Sequence, residues 1–551
     1  MSTKLKLVAV LLASAIAMPA HADVLVDNVS GITMDADGKV KRFEALVIDD
    51  DGKVAQLIQR GQERPRTDYL EDAGGKVMLP GFIDAHGHVS SVGFNALTLD
   101  LSGTNSLEEA LEAIRVFAAE NEARPWILGR GWNQEKWGLG RFPTAAELDS
   151  VVSDRPVWLN RVDGHAGWGN SLALRAAGID AKTVSPAGGR IEKLADGKTP
   201  SGVFVDMAMG LVEKVVPAPR PVERDLALAE AQKVLHAQGI TAMADMGTTI
   251  EDWQSFRRAG DNGTLTLRIM SYAAGPDQMV LLGGSGPSPW LYDDKLRMNG
   301  VKLYLDGALG SRGAWLKQPY ADDPHNTGLP LTPPAALRNI LVRAAQGGFQ
   351  PAIHAIGTAA NAEALNAIGE IAESYGGDRR WRIEHVQIVD PADLPKLAEH
   401  GIISSMQPVH QTSDMFMAEA RLGPDRLDGA YAWNTILEMG GRLAFGSDAP
   451  VESADPFAGL AVAITRSNAA GEPFGGWRPQ ERVNREQALA GFTSEAAFAG
   501  FAEGRFGRLL PGERADFVLV DTDPLMATPD EIRATKVHET WVGGQKVYDA
   551  D

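Results

Sequence analysis

Residues 80–88 read Pro80-Gly81-Phe82-Ile83-Asp84-Ala85-His86-Gly87-His88 and end an apolar, strand-like run that begins at residue 77. Residues two apart on a strand point to the same side, so the imidazoles of His86 and His88 can face a single ion. The chain has only 11 histidines among 551 residues, which argues against a chance pairing at a strand end. We therefore interpret His86 and His88 as metal ligands.

Apolar runs alternate with helical sequence through the middle of the chain. The eight predicted strands cover residues 77–85, 240–244, 267–272, 301–305, 351–355, 382–386, 402–406 and 443–447. Amphipathic sequence follows several of them, for example at 359–374 and 391–400. Eight strands in βα alternation predict a (β/α)8 TIM-like barrel over residues 80–502. A doubly wound open sheet is the competing architecture, although its Gly-rich nucleotide-binding fingerprint is absent from the sequence.

Both ends of the chain are rich in short β-like runs. They lie at residues 24–26, 42–48, 54–58, 515–521, 539–542 and 545–548. The last two flank Gly543-Gly544, a pair that is typical of a tight hairpin turn. We expect residues 23–79 and 503–551 to form one small β-sandwich built from both termini.

A long insertion separates the first two predicted barrel strands. It covers roughly residues 100–220 and is rich in Trp, Gly and Arg. Loops that follow barrel strands lie at the catalytic face, so we expect the insertion to act as a lid. Its tryptophans, Trp132 among them, either line an apolar pocket or pack inside the lid.

The first 22 residues have the pattern of an export signal. Lys4 and Lys6 precede an apolar run at residues 7–18, and Ala20-His21-Ala22 offers a small-x-small cleavage site. The alternative is a membrane anchor, but the run is shorter than the ~20 residues that cross a bilayer. We expect residues 1–22 to be a cleaved signal peptide and the protein to be exported, either periplasmic or secreted.

Composition restricts partners and chemistry. The net charge of −19 disfavours nucleic acid and anionic membrane surfaces, because both are polyanions. No later stretch reaches transmembrane length, so we expect no stable membrane insertion. The chain has no cysteine, which excludes disulfides and thiolate chemistry and leaves histidine and carboxylate ligands, suited to zinc, manganese or iron. Composition leaves a homo-oligomer open.

Three further candidate ligands follow predicted strands. His354, His385 and Asp448 each stand at the end of an apolar run. The carboxyl ends of barrel strands meet at one face, so these residues can converge with the first two histidines although they are far apart in sequence. A lone histidine at a strand end is more often structural, and it is the combination that indicates a metal site.

The order His-x-His, Lys, His, His, Asp over eight strands resembles that of the amidohydrolase superfamily. Several longer stretches resemble its family-3 branch, which includes N-substituted formamide deformylases. These stretches are residues 79–88, Asp163-Gly164-His165, 301–307, Ser405-Met406-Gln407-Pro408, 445–450 and 512–517. The resemblance extends over nearly the whole chain after residue 22.

The resemblance implies two divalent ions, with zinc as the first candidate. His86, His88 and Asp448 would hold one ion, and His354 and His385 the other. Lys302 would bridge the two ions. A protonated ammonium cannot bind a cation, so Lys302 would have to react with CO₂ and become an anionic carbamate, the carboxylated lysine. The alternatives are a single-metal site, or an ordinary salt bridge of Lys302 with Asp306.

The resemblance also implies a mechanism. The ions would generate hydroxide from water at neutral pH, and this metal-activated hydroxide would attack a carbonyl carbon. Asp448 would take the proton and pass it to the leaving nitrogen. His165 would donate a hydrogen bond to the substrate carbonyl when the lid closes, unless it only braces its loop. The remaining candidate substrate contacts are Trp132, Arg312, Gln407 and His410.

We therefore predict a metal-dependent hydrolase that cleaves a carbon–nitrogen bond of the amide or formamide type, other than a peptide bond, in a small molecule. A deaminase or a cyclic-amide hydrolase could use the same site. A catalytically inactive binding protein on this fold is the alternative from another class. Loss of ligands would be expected in such a protein, whereas every expected ligand is present.

Overall fold

The computed structural model describes residues 23–550, so the predicted signal peptide lies outside the described residues. Within this range, no helix combines the length and apolarity needed to cross a membrane. Seven short strands come first: β1 (Val24–Asp27), β2 (Ser30–Met34), β3 (Val40–Phe43), β4 (Ala45–Ile48), β5 (Val54–Ile58), β6 (Tyr69–Asp72) and β7 (Val77–Pro80).

The first barrel strand and the inserted segment follow. Strand β8 (Phe82–Gly87) leads into α1 (Val89–Leu97). The inserted segment contains β9 (Leu99–Asp100), α2 (Leu107–Glu120), β10 (Ile127–Trp132), α3 (Ala145–Asp149), β11 (Val157–Arg161), β12 (Ala166–Gly169), α4 (Ser171–Ala176), β13 (Gly189–Lys193), β14 (Pro200–Asp206) and α5 (Gly210–Glu213).

The rest of the barrel alternates strands and helices. Its elements are α6 (Pro221–Ala237), β15 (Ile240–Thr248), α7 (Ile250–Asp261), β16 (Arg268–Ala274), α8 (Pro276–Gly283), β17 (Leu296–Tyr304), α9 (Pro334–Gly347), β18 (Gln350–Ala355), α10 (Thr358–Ala372), β19 (Arg382–His385), α11 (Pro395–Glu399), β20 (Ile403–Met406), α12 (Pro408–Leu422), α13 (Trp433–Glu438), β21 (Arg442–Phe445), α14 (Pro456–Thr465), α15 (Arg485–Gly491) and α16 (Ser494–Ala499). Two 3₁₀ helices, Pro424–Arg426 and Pro479–Glu481, lie beside α12 and α15. The chain ends with β22 (Phe517–Val520), α17 (Pro529–Arg533), β23 (Val537–Val542) and β24 (Gln545–Asp549).

The central sheet is a nearly closed parallel barrel. Its eight strands follow the order β8-β15-β16-β17-β18-β19-β20-β21, and every neighbouring pair is parallel. The backbone N–H of Asp448, just after β21, donates to the carbonyl of His86 in β8 at 2.7 Å, which brings the first and last strands together. The TIM-like barrel predicted from the eight apolar runs is therefore confirmed.

The first predicted strand was wrong in one respect. Residues 77–85 are not one strand: Val77–Pro80 belongs to a terminal sheet and Phe82–Gly87 to the barrel. The break falls at Gly81, whose N–H donates to the Asp516 carbonyl at 2.9 Å. A Cβ at this position would lie 2.3 Å from the Thr241 hydroxyl oxygen, so only glycine lets the chain pass this closely between the two sheets.

Helix α11 is also shorter than the predicted stretch 391–400, since it covers only Pro395–Glu399. The residues before it form a turn in which the Asp390 carboxylate accepts from the Ala392 N–H at 3.1 Å. Such a side-chain-to-backbone bond competes with helix formation, which explains the late start of α11.

Two sheets are assembled from the terminal segments. One has the order β5-β4-β1-β6, and the other the order β24-β23-β22-β7-β2-β3. Strand β22 pairs with β7 in antiparallel register, with Phe517 opposite Pro80. Buried side chains from both sheets share one hydrophobic cluster, including Leu46, Met78 and Trp541. The predicted hairpin is present, because β23 pairs with β24 across Gly543 and Gly544, both with positive φ.

The inserted segment forms a mixed sheet with its own core. The strand order is β13-β14-β12-β11-β10-β9, with parallel pairing among β9, β10 and β11. Trp132, Leu159 and Trp168 are buried in one hydrophobic cluster on this sheet. Because the segment leaves the barrel after β8, it adjoins the face where the predicted ligands emerge.

Candidate metal-dependent active site

The predicted metal ligands meet at the carboxyl ends of the barrel strands. His86 lies near the end of β8, Lys302 in β17, His354 in β18, His385 at the end of β19, and Asp448 just after β21. These five residues are buried. His88 follows β8 as the N-cap of α1, and its side chain is 26% exposed.

Short distances connect these side chains. His88 Nε2 lies 3.0 Å from Asp448 Oδ1, and His86 Nε2 lies 3.5 Å from the same oxygen. Lys302 Nζ lies 3.2 Å from His86 Nε2. The His385 ring lies 4.7 Å from the His86 ring and 4.5 Å from the His354 ring, between centroids. The six predicted ligands, His86, His88, Lys302, His354, His385 and Asp448, therefore share one cluster.

Two of these residues have unusual backbone conformations. His385 has φ 76° and Asp448 has φ 61°, values that non-glycine residues rarely adopt. Such conformations cost roughly 1–3 kcal/mol each and are concentrated at functional sites. The 2.7 Å bond from the Asp448 N–H to the His86 carbonyl holds one of them in place.

The donor set of the cluster fits a cation. His86, His88 and Asp448 offer ligand atoms within 4.8 Å of one another, and so do His385, His410 and Asp448. Within residues 23–550, the Nε2 atoms of His354 and His410 are buried without a hydrogen-bond partner. A buried polar atom without a partner is costly, and a bound ion would remove that cost. Imidazole and carboxylate are suitable ligands for zinc and related ions.

Lys302 has the surroundings expected of a ligand precursor. Its closest polar neighbour is a histidine nitrogen, and no hydrogen bond or ion pair joins it to a carboxylate among the described residues. The alternative partner, Asp306, instead accepts backbone N–H groups from Trp315, Ile356 and Gly357 at 2.7–3.0 Å. The salt bridge considered for Lys302 and Asp306 is therefore not formed.

Burial and neighbouring charges set the ionisation of the cluster. Burial lowers the pKa of Lys302 to about 8 and that of His86 to about 4. Burial also holds the pKa of His354 and of His385 well below the usual value. For Asp448, burial acts to raise the pKa, but the neighbouring histidines outweigh it and hold the pKa well below its usual range. His86, His354 and His385 are therefore neutral and Asp448 is ionised at neutral pH, as ligation requires.

His165 approaches the cluster from the inserted sheet. Its ring lies 5.3 Å from the His354 ring, and its Nδ1 lies 2.7 Å from Asp206 Oδ1. Burial lowers the pKa of His165, but Asp206 and then Asp163 act in the opposite direction and raise it to about 9. A protonated His165 can offer Nε2–H to a ligand.

The structure places the predicted substrate-contact residues in different surroundings. His410 lies at the site, with Nε2 3.8 Å from Asp448 Oδ2. Gln407 is buried, and its Oε1 lies 2.8 Å from Nδ1 of His385, so its side-chain oxygen is directed at a predicted ligand.

Trp132 and Arg312 do not present a free group to the site. Trp132 is fully buried in the insertion core, where its indole N–H donates to the Leu159 carbonyl at 2.8 Å. This overturns its predicted substrate contact, because the ring has no exposed surface. The Arg312 guanidinium pairs with the Asp322 carboxylate at 2.9 Å, so a substrate carboxylate would have to displace Asp322.

Three residues that were not predicted from the sequence complete the surroundings of the ligand cluster. Glu384 contacts His86, Asp206 contacts His165, and the Tyr304 ring lies 5.4 Å from that of His354. Tyr304 is 38% exposed, and its ring centroid is 4.8 Å from Lys302 Nζ. Tyr304 could have been found from the sequence, because it stands two residues after Lys302 on the same strand and therefore points to the same side. No comparable sequence signal marked Asp206.

The family model described as the amidohydrolase family matches residues 70–548. The chain belongs to the amidohydrolase family. As an amidohydrolase of the family-3 branch, it is an enzyme that hydrolyses carbon–nitrogen bonds. The family predicted from the ligand order is thereby confirmed.

Relatives and solved structures agree with this membership. The amidohydrolase is 35% identical to Protein LONG AFTER FAR-RED 3 of Arabidopsis thaliana over 86% of this chain and 82% of that protein. It is 27% identical to the N-substituted formamide deformylase of Arthrobacter pascens over 96% and 98% of the two chains. A crystal structure from Pyrococcus furiosus, described as an uncharacterized metal-dependent hydrolase, is 28% identical with a TM-score of 0.70, covering 91% of this chain and all of that one.

Proposed function

We propose that this amidohydrolase uses two divalent metal ions, zinc in the first instance, to cleave a non-peptide amide bond of the formamide type in a small molecule. The observation that carries the proposal is the meeting of six ligand-type side chains, from positions 86 to 448, in one cluster that is buried except for part of His88. The similarity to a formamide deformylase along nearly both whole chains supports the choice of bond.

In this proposal the ligands divide into two sets. His86, His88 and Asp448 would hold one ion, and His354 and His385 would hold the other. Lys302, as a carbamate, would supply a further anionic ligand to them. Among the described residues Lys302 forms no direct hydrogen bond or ion pair with a carboxylate, which supports the carbamate, since a buried ammonium without a direct ion-pair partner is costly.

When bound, the two ions would supply a water of lowered pKa and positive charge that stabilises a developing oxyanion. Asp448 accepts the proton of the attacking water and returns it to the leaving nitrogen. His165, held by Asp206, donates a hydrogen bond to the carbonyl oxygen as negative charge develops there. The inserted sheet acts as a lid that brings His165 to the barrel and excludes bulk water.

Metal analysis tests the ligand part of the proposal. Protein purified without chelator is expected to contain close to two ions per chain. One ion per chain would support the single-metal alternative, and a metal-free but folded protein would refute the proposal in favour of an inactive binding protein.

A substrate panel tests the bond. We expect turnover of N-formyl compounds to exceed that of N-acyl compounds and carbamates. Turnover confined to cyclic amides, or release of ammonia from amino-substituted rings, would instead identify a cyclic-amide hydrolase or a deaminase on the same site.

We also propose that the protein is exported by its first 22 residues, to the periplasm or out of the cell. The test is fractionation of cells expressing the full chain, followed by N-terminal sequencing. Protein that stays in the cytoplasm and retains Met1 would contradict export.

We also propose that the two terminal sheets form one sandwich, which the hydrophobic cluster that they share supports.

A further inference from the structure

A buried carboxylate lies directly behind the first predicted ligand. Glu384 Oε2 lies 2.7 Å from His86 Nδ1, and both side chains are completely buried. The opposite ring nitrogen, His86 Nε2, faces Lys302 Nζ at 3.2 Å and Asp448 Oδ1 at 3.5 Å. One nitrogen of the imidazole therefore contacts Glu384, and the other points into the ligand cluster.

Glu384 is itself held firmly by an arginine. Arg382 Nε donates to Glu384 Oε1 at 2.8 Å, and Arg382 Nη2 donates to Oε2 at 3.1 Å. The same guanidinium donates to the Ala85 carbonyl at 2.7 Å and to the Ser405 hydroxyl at 3.0 Å.

We infer that Glu384 is a positioning residue that sets the metal affinity of His86. A carboxylate at this distance fixes the proton on His86 Nδ1 and leaves the Nε2 lone pair directed at the ion. Its negative charge also makes the imidazole a stronger donor. The inference rests on the proposed function, because it requires a metal ion at His86.

The geometry separates this role from that of an ordinary core ion pair. A core pair needs only Arg382 and Glu384 to satisfy each other, and it would not place a carboxylate oxygen 2.7 Å from the ring nitrogen of a ligand. Arg268 and Asp516 form such a pair, fully buried, with Arg268 Nη2 2.8 Å from Asp516 Oδ1. Among the described residues, neither of these two contacts a predicted ligand.

The test is Glu384→Gln, which keeps the shape of the side chain and removes its charge. We expect the dissociation constant for Zn²⁺, measured by competition with a chromophoric chelator, to rise about 10- to 100-fold. At saturating Co²⁺, the visible absorption bands of the variant should shift relative to the wild type, since the ligand field of one imidazole has changed.

Two further variants keep the test interpretable. Arg382→Met/Glu384→Gln removes both buried charges and so avoids an unpaired guanidinium if the single variant fails to fold. It should show the same loss of affinity. Asp516→Asn breaks the control pair and should lower stability while leaving the Zn²⁺ affinity of the folded protein at the wild-type value.

The outcomes are distinct. Wild-type Zn²⁺ affinity in folded Glu384→Gln or in the double variant would overturn the inference, as would an equal loss in Asp516→Asn. A wild-type protein that binds neither Zn²⁺ nor Co²⁺ would overturn the proposed function itself, and with it the inference.

Discussion

Asp206, at the end of β14 in the inserted sheet, holds His165 by a 2.7 Å contact between its Oδ1 and the His165 Nδ1. Its other carboxylate oxygen lies against the loop after β17, where a Cβ added to Gly307 or Gly313 would come within 2.7 Å of Oδ2. Asp206 thus lies where the inserted sheet meets the barrel, and the two glycines leave room for it.

Replacing Asp206 with Asn tests the role of His165. The amide keeps the volume but removes the charge that holds the His165 proton, so kcat should fall by about 10²-fold, the scale of one proton donor or acceptor. Metal content should stay unchanged. As a control, Asp100→Asn alters an exposed acid in β9 of the same sheet and should retain wild-type kcat. Equal kcat in both variants would contradict the assignment of His165.

Asp448→Asn should remove turnover while leaving the fold intact. The amide cannot accept the water proton, so we expect a loss of at least about 10²-fold in kcat, measured together with circular dichroism. The matched control is Asp455→Asn, at the N-cap of α14, where asparagine can replace the capping carboxylate. Wild-type turnover in Asp448→Asn would disprove the proposed proton transfer.

Lys302→Ala should lose both metal and activity, because the proposed bridge between the ions is removed. Addition of a short carboxylic acid with excess metal should restore part of the activity, since the acid can occupy the place of the carbamate. The measurements are metal per chain and initial rate with and without the acid. A variant that keeps two ions per chain would eliminate Lys302 as a bridge.

The buried His236 should make the protein less stable in acid. It lies 3.0 Å from the Ile240 carbonyl and 2.9 Å from the Thr266 hydroxyl, and burial lowers its pKa to about 4. Between pH 6.5 and 4 the unfolded chain binds a proton there that the folded chain does not. The free energy of unfolding therefore falls as pH falls through this window, by about 3 kcal/mol in total.

The comparison between variants isolates this contribution. The free energy of unfolding, measured by urea denaturation between pH 7 and pH 4, should depend less on pH in His236→Gln than in the wild type. His325→Gln, at an exposed position, should follow the wild-type curve. Identical slopes for all three proteins would argue against the buried neutral state of His236.

Trp132→Ala should affect stability instead of substrate binding. Truncating this fully buried ring should cost about 3–5 kcal/mol in the free energy of unfolding, while the KM of the folded protein stays unchanged. Trp137→Ala, at a partly exposed position, should cost less. A raised KM without loss of stability would show that Trp132 contacts the substrate after all.

The sequence predicted the barrel and its ligands because both follow from one rule. The carboxyl ends of parallel barrel strands meet at one face, so His86, His354 and His385 could be brought together from their positions after apolar runs. The split of the first strand at Gly81 was not predictable, because it depends on how closely Thr241 approaches.

The supporting residues were missed for a different reason. Glu384 and Arg382 have the spacing of any ion pair on one face of a strand, and only the position of His86, from another strand, gives the pair a further role. Asp206 meets His165 across two strands whose pairing, Ala166 with Val205, no local pattern specified. Trp132 was assigned wrongly because a large aromatic side chain suits a pocket and a core equally well in sequence.

The antiparallel pairing of β7 with β22 has a consequence for biosynthesis. The ribosome must translate as far as Val520 before the strand that leads into the His86 segment acquires this partner. A nascent chain therefore carries its first histidines long before the sheet that anchors them exists. Because Asp448 is also translated long after His86, the growing polypeptide cannot complete the ligand cluster while this strand of the sheet is still missing.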